Sequence, residues 1–372
     1  MNLPNLSRRD ILKILGTVPA AGATASVSAQ APEPAARQGG GGRQGGRAPA
    51  QFNGVLTPSP TATPGGKPLL TLYSISLQWA KSYDEAADTA AMAGWPAIGW
   101  TVRGGGSVLP ENVVRDLPRA VAAAKKAGLT VPIIITPLRD AQTQYVEQYL
   151  DTMSHLGLRY FQAPPFGTYD YSKDLQPQLD AWKPRVEAFA RLNEKYGTTA
   201  VYHMEGGAGN IGGGGWDLYS VIKDFDPRYI GMDVDVGHGV FKGGPEIWEL
   251  LRFVHRNMLS VASKDIRWAR KSDKPQGPRR SDPSQEWEWT AEYVRPGTGM
   301  VNFRMVFDYM KSIGYAGSFL HYSEYSVDVP GNPAPVSLLR PDVPRVVSKE
   351  QYIASVRRDF EFYSGLMKEA GY

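Results

Sequence analysis

From Pro68 onward, apolar runs of strand length alternate with segments of helical period about eight times. That alternation is the signature of repeated βα units and of a parallel sheet. The runs predict strands at Leu70–Leu77, Ala97–Val102, Val131–Thr136, Tyr160–Ala163, Ala200–His203, Ile230–Val234, Leu259–Ser263 and Ser318–His321. Between them the spacing of apolar residues predicts helices at Asp84–Ala93, Glu111–Ala127, Gln142–Leu156, Gln178–Tyr196, Leu218–Phe225, Glu246–Asn257 and Phe303–Ile313. Gly128, Gly157, Gly197 and Gly314 stand where helices stop and a left-handed residue is favoured. Eight strands with eight crossovers close a (β/α)8 TIM barrel over residues 68–372, which a doubly wound open sheet accommodates less naturally.

The first part of the chain breaks this pattern. Ser7-Arg8-Arg9-Asp10-Ile11-Leu12-Lys13 is a twin-arginine pattern, the apolar stretch Ile14 to Ala25 is too short to span a bilayer, and Val27-Ser28-Ala29 offers small residues for cleavage. Residues 1–29 therefore read as a twin-arginine signal peptide directing the protein to the periplasm or beyond, with no stable membrane span. Residues 30–67 are dominated by Gln, Gly, Pro, Ala and Arg, too poor in large apolar side chains to offset the entropy of ordering, and read as a disordered linker.

Charge changes the picture only slightly. The chain is +4 overall, but residues 1–67 hold seven Lys/Arg against Asp10 and Glu33, leaving the barrel at −1. A nearly neutral domain argues against a nucleic-acid partner. Cysteine is absent, which excludes disulfides and thiolate metal sites. Stability must come from the core, and roughly 305 residues suffice for one.

Candidate chemistry collects where strands run out into glycine turns, the place where a parallel barrel keeps its metals and acid/base groups. His203 and Glu205 end one run, Asp235 and His238 the next, and His321 and Glu324 the last. His203 also reads as a core imidazole, Asp233 as a partner for a helix N-terminus, and His155 and His255 as helix surface or helix end residues. Asp235 with His238 is harder to assign to packing, because a charge is seldom buried at a strand end without a partner. Lys264 reads either as an ion pair with Asp265 or a neighbouring carboxylate, or as a site cation. Trp79, Trp100, Trp268, Trp287 and Trp289 supply faces on which a sugar ring stacks or a core packs, and Trp79 and Trp268 are the substrate-binding candidates. The glycines from Gly206 to Gly215 lack a following Gly-Lys-Ser/Thr, so they predict a flexible loop beside the site rather than a phosphate loop. The segment Ile266–Val301 is too long for a simple connection and predicts a lid or interface, while Pro330–Val347 suits a homodimer contact.

Tyr202-His203-Met204-Glu205, Trp216-Asp217-Leu218-Tyr219, Asp224 to Gly231, Asp235-Val236-Gly237-His238, Lys264-Asp265, Pro296 to Phe303 and His321 to Tyr325, taken in order, resemble the sugar phosphate isomerase/epimerase group of xylose-isomerase-like TIM barrels. The resemblance runs from about residue 70 to 326. It implies a divalent metal (manganese, zinc, cobalt or magnesium) held at the C-terminal ends of the later strands, with Glu205, Asp235 and Glu324 matching family ligands and His321 available as another. It further implies that Glu205 and Glu324 form an acid/base pair, that His238 and His203 contact substrate, and that Lys264 stabilises charge. Two departures stand out: Ala262 replaces a ligand histidine, and Thr298 stands where a glutamate is common.

With the twin-arginine pattern pointing to export, the resemblance implies a metal-dependent sugar isomerase or epimerase working by proton transfer through a metal-bound enediolate. Two alternatives stay open: a lyase or hydrolase that opens 3-keto-glycosides by β-elimination, and a non-catalytic carbohydrate-binding barrel.

Overall fold

The computed structural model describes residues 57–270, 289–339 and 346–372. The segment expected to be a signal peptide, most of the expected linker, Trp287 and part of the Pro330–Val347 segment lie outside the described residues. Eight strands build the centre: β1 (Leu69–Tyr73), β2 (Ala97–Thr101), β3 (Ile133–Ile135), β4 (Tyr160–Ala163), β5 (Thr199–His203), β6 (Ile230–Asp235), β7 (Met258–Ser263) and β8 (Ser318–His321). Each pairs in parallel with its sequence neighbours, and β8 pairs with β1, closing the barrel.

Alternation along each strand decides which side chains reach the interior. Tyr73, Ile133, Ile135, Val201, Leu259, Ala262, Leu320 and Tyr322 pack together inside, while their neighbours Leu72, Ile134, Ala200, Val261 and Phe319 join the larger apolar layer between barrel and helices. Between β6 and β7 the register slips at Met232/Asp233, so that Leu259 is passed over in the pairing. Such a bulge re-aims the residues that follow. Ala262 then faces inward opposite Asp235.

Several elements depart from the expected limits for local reasons. β1 stops at Tyr73 because Ser74 turns its hydroxyl onto the Thr101 amide (2.8 Å) and the chain enters a 3-10 turn, Ser74–Leu77. The helix expected over Gln142–Leu156 starts at Val146, since the Asp140 and Thr143 side chains tie the preceding turn and Tyr145 takes a left-handed φ of 64°. Gln178–Tyr196 is two helices, Leu175–Asp180 and Lys183–Tyr196, the second opening on Pro184, whose ring cannot continue a helix from before it. The expected stop glycines all have positive φ, from 65° at Gly314 to 76° at Gly128. A C-terminal helix, Lys349–Glu369, was not apparent from periodicity; it begins with a Ser348/Gln351 capping box and buries Tyr352, Val356 and Tyr363. Packing against the barrel begins before Pro68: Ser59 is buried and donates its amide to Ile313 O (2.8 Å), and Thr61 Oγ1 accepts from the Ala316 amide (3.1 Å).

Beyond β7 the chain forms an antiparallel ribbon, Asp265–Arg270 with Trp289–Val294, that rises over the barrel mouth and lays Tyr293 near His238 and Lys264. Its base is held by Asp265. One carboxylate oxygen accepts from the Ile266 and Val301 amides (2.9 and 3.1 Å), the other from Gly297 and Gly299 (2.9 and 2.8 Å). Thr298 lies in this turn, its hydroxyl turned onto Arg295 O. Asp265→Ala leaves these amides without their acceptor and is expected to cost about 2–4 kcal/mol, read by thermal or denaturant unfolding.

Candidate functional site

The site forms where β4 to β8 end. Glu205 lies two residues beyond β5 and Lys264 follows β7 directly, while Asp235 closes β6 and caps the helix Val236–Gly243. Its Oδ1 accepts from the His238 amide (2.9 Å), which brings the imidazole one turn along back over the strand end. Asp235 Oδ2 is left facing the site. It is wholly buried and has no aligned hydrogen bond, although His238 Nδ1 (3.2 Å), Lys264 Nζ (3.3 Å) and His203 Nε2 (3.7 Å) surround it.

Both imidazoles are fixed from behind. His203 Nδ1 lies 2.7 Å from Asp233 Oδ2, which also accepts from Gln162 Nε2 (2.6 Å), and the His203 ring stacks on Tyr322. His238 Nδ1 donates to Met204 O (2.8 Å), and a Cβ on Gly206 would fall 2.6 Å from its ring, so only glycine lets the imidazole sit there. With each Nδ1–H committed, each Nε2 points into the site, the usual way a protein presents histidine to a metal. This assignment of protons follows from the hydrogen-bond partners. It makes neutral His238 an acceptor at Nε2.

The charges are arranged around this centre. Burial pushes the Asp235 carboxyl up from its ordinary value, against the pull of Lys264 and His203. Burial and the Lys264 charge push His238 well below the usual imidazole range, keeping it neutral. For His203, burial acts downward but the Asp233 carboxylate outweighs it and raises the imidazole. Glu205, its side chain 40 % exposed, is likewise opposed by burial yet falls below the ordinary carboxylate range through the charges of His203 and Lys264. Lys264 is buried, which disfavours its charge, but Asp235 and Glu324 raise it above the ordinary lysine range. Its ammonium donates to Glu324 Oε2 (2.9 Å), lies 3.1 Å from His238 Nε2 and sits 4.4 Å over the Tyr322 ring. Lys264 therefore pairs across the site rather than with Asp265.

Fit to a divalent metal can be judged on these atoms. One ligand atom each from His203, Asp235 and His238 lie within 4.8 Å of one another, so this buried His/Asp/His cluster can hold a metal ion. The orphaned Asp235 Oδ2 and the two oriented Nε2 atoms suit such an ion, and Glu205 Oε1, 3.8 Å from His238 Nε2, flanks it. Ala262 brings only a methyl to the inward position of β7 opposite Asp235.

Other candidates lie elsewhere. His321 does not join the cluster: on β8 it shares the outward face with Phe319, its Nε2 3.1 Å from Asp359 Oδ2, its Nδ1 3.4 Å from Tyr363 OH and its ring stacked on Trp95. The neighbours Leu320 and Tyr322 take the inward places. Trp79 packs edge-on against Tyr352, and Trp268 lies against Phe241. Trp100 is buried against Tyr83, and Trp289 lies beside Arg270. His155 is exposed on its helix, and His255 follows the end of Ile247–Val254. The glycine loop borders the site but is pinned: Glu205 N donates to Gly213 O, Asn210–Ile211 pairs with Gly167–Thr168, and Asp217 accepts from Gly212 N. Asp233, Gln162, Tyr322 and Tyr293 belong to the site and were not singled out as site residues from the sequence. For Asp233 the signal was present, since it lies two residues before Asp235 on one strand and so faces the same way. A cavity of about 810 Å³ opens from Glu324 and Tyr293 past Arg295 to Ser355 and Arg358.

Known folds place the barrel further. An L-ribulose 3-epimerase shares 15% sequence identity at a TM-score of 0.55, over 82% of this chain and 96% of that one. A 3-keto-D-glucoside 4-epimerase from E. coli shares 11% at 0.56, over 80% and 100%. The IOLI protein, solved with a bound zinc atom, shares 12% at 0.53, over 81% and 98%. At these identities the likeness is one of fold. No curated protein matches the sequence. Residues 87–336 match a family defined by this barrel, and the chain belongs to the xylose isomerase-like TIM barrel family.

Proposed function

We propose that this protein is a metal-dependent sugar epimerase or isomerase that moves a proton on a carbon next to a carbonyl. The observation that carries the reading is the pair of carboxylates that border the buried His203/Asp235/His238 cluster, Glu205 beside His238 (3.8 Å) and Glu324 joined to Asp235 through Lys264 (2.9 and 3.3 Å). A divalent ion held by His203, Asp235 and His238 would supply a positive charge that stabilises negative charge developing on a substrate oxygen.

The residues divide the remaining work. Glu205, kept ionised by the cations around it and partly open to the mouth, takes the proton from carbon as general base. The electron pair moves onto the carbonyl oxygen. Lys264, buried and charged, stabilises that oxyanion and shares its proton with Glu324. Glu324 follows β8, with β6 and β7 between it and Glu205 in the barrel; it takes a proton from Lys264 along their hydrogen bond and delivers it to the carbon, and solvent then carries the proton held by Glu205 back to Lys264. Asp233 and Gln162 hold His203 in place, and the Tyr293 ribbon shields the centre from water. Its phenol is pushed up to about 12 by burial, so it stays protonated and can donate to a sugar hydroxyl.

The cavity favours a second reading. At about 810 Å³ it has room for more than one sugar ring, and it continues beyond Glu324 to Gln351, Ser355 and Arg358. A 3-keto-glycoside would place its aglycone there, and the same proton removal would expel it by β-elimination. The twin-arginine pattern supports an extracytoplasmic setting, where glycosides are more abundant than sugar phosphates. Elemental analysis of the purified protein should find one divalent metal per chain. Incubation with free ketoses and with 3-keto-glycosides should then give epimers or released aglycone, which separates the two readings. A protein that takes up no manganese, zinc, cobalt or magnesium and converts neither class would overturn both.

A further inference from the structure

We propose that Lys264 is a built-in rival of the metal, its ammonium and the divalent ion competing for the same two ligand atoms. The inference rests on the metal site argued above and adds that occupancy is set from within the chain. Lys264 Nζ lies 3.3 Å from Asp235 Oδ2 and 3.1 Å from His238 Nε2. An ion bound to those atoms would stand about 2.0–2.2 Å from each, which leaves it and the ammonium crowded against one another in a dry site.

The side chain has little freedom to leave. Its stem packs against Gly237, where a Cβ would meet Lys264 O at 2.5 Å and Cγ at 2.6 Å, and the Tyr322 ring supports the ammonium at 4.4 Å. One retreat remains, toward Glu324 Oε2 at 2.9 Å. The ammonium thus has two berths: shared among Asp235, His238 and Glu324 when the metal is out, and drawn onto Glu324 when it is in. Ala262, the inward neighbour on β7, contributes no ligand that would tilt the contest toward the metal. Two properties follow. The metal-free site already carries a cation against Asp235 and Glu324, and metal binds more weakly than the His/Asp/His set alone would allow.

Titration of the full-length protein with Mn(II), following free Mn(II) by electron paramagnetic resonance, tests this directly. Lys264→Met and Lys264→Gln, which remove the charge, should both lower Kd at least about tenfold, while Lys264→Arg should not. The metal-free Lys264→Met protein should melt at a lower temperature than wild type and gain more on adding Mn(II), because Asp235 and Glu324 lose their cation. A variant that folds only with Mn(II) present gives the same answer. Unchanged or weaker Mn(II) binding in folded Lys264→Met and Lys264→Gln would overturn the rivalry while leaving the metal site intact. Absence of binding of any of the four metals by wild type and variants alike would remove the site itself and the rivalry with it.

Discussion

Asp235→Asn is expected to lose most bound divalent metal and to lower turnover by roughly 10²-fold or more, since even an outer partner of a metal ligand is worth about ten- to a hundredfold. The substitution is close to isosteric. Its amide oxygen can still accept from the His238 amide, so the cap of helix Val236–Gly243 and the position of His238 are retained. What changes is the buried Oδ2, the one atom facing His203, His238 and Lys264 together. Loss of its charge removes the hard oxygen donor and leaves Lys264 to Glu324. Metal content by elemental analysis, with a melting curve to show that the fold survives, checks the outcome. A variant that holds metal stoichiometrically and changes only in stability would make Asp235 a structural residue.

Glu205→Gln should behave differently. Its oxygen can still accept from the Gly206 amide, and the residue lies outside the His203/Asp235/His238 cluster, so metal should remain. Turnover should fall by about 10²–10⁴-fold with little change in KM, the usual cost of removing a general base. The split matters because the sequence resemblance assigns Glu205 to both the metal and the acid/base pair. Retained metal with lost turnover makes it the base, lost metal makes it a ligand, and full activity excludes both roles.

The barrel was legible in the chain because its strands end abruptly. Tyr160–Ala163 and Ser318–His321 coincide with the observed strands, since Arg159 and Pro164 bound the first run and Gly317 precedes the second. Facing was less legible. In a parallel barrel both faces of a strand are apolar, so Phe319 and Leu320 carry no sign of which points inward. A shift of one residue exchanges the faces. That is why His321 read as a ligand candidate, although Tyr322 is the neighbour that enters the barrel and His321 meets Asp359 on the C-terminal helix. Polar alternation made β6 clearer, because Asp233 and Asp235 flank the buried Val234. Lys264 was ambiguous for a different reason. Its adjacent residue Asp265 is a plausible partner in one dimension, but strand geometry turns consecutive side chains apart, sending Lys264 to the site and Asp265 to the ribbon turn. Nothing local reports on Gln162 and Tyr293, whose roles exist only once β4 and the ribbon are brought beside β5 and β7.

The most direct measurement is exchange of substrate hydrogen with solvent. The Mn(II)-loaded protein is incubated in D2O with a panel of ketoses and 3-keto-glycosides, and recovered sugars are read by nuclear magnetic resonance and mass spectrometry. Proton transfer at the carbon next to the carbonyl predicts deuterium at that position in at least one sugar class, retained by wild type and abolished in Glu205→Gln. Absence of deuterium from every sugar, in a protein shown to carry its metal, would contradict the account.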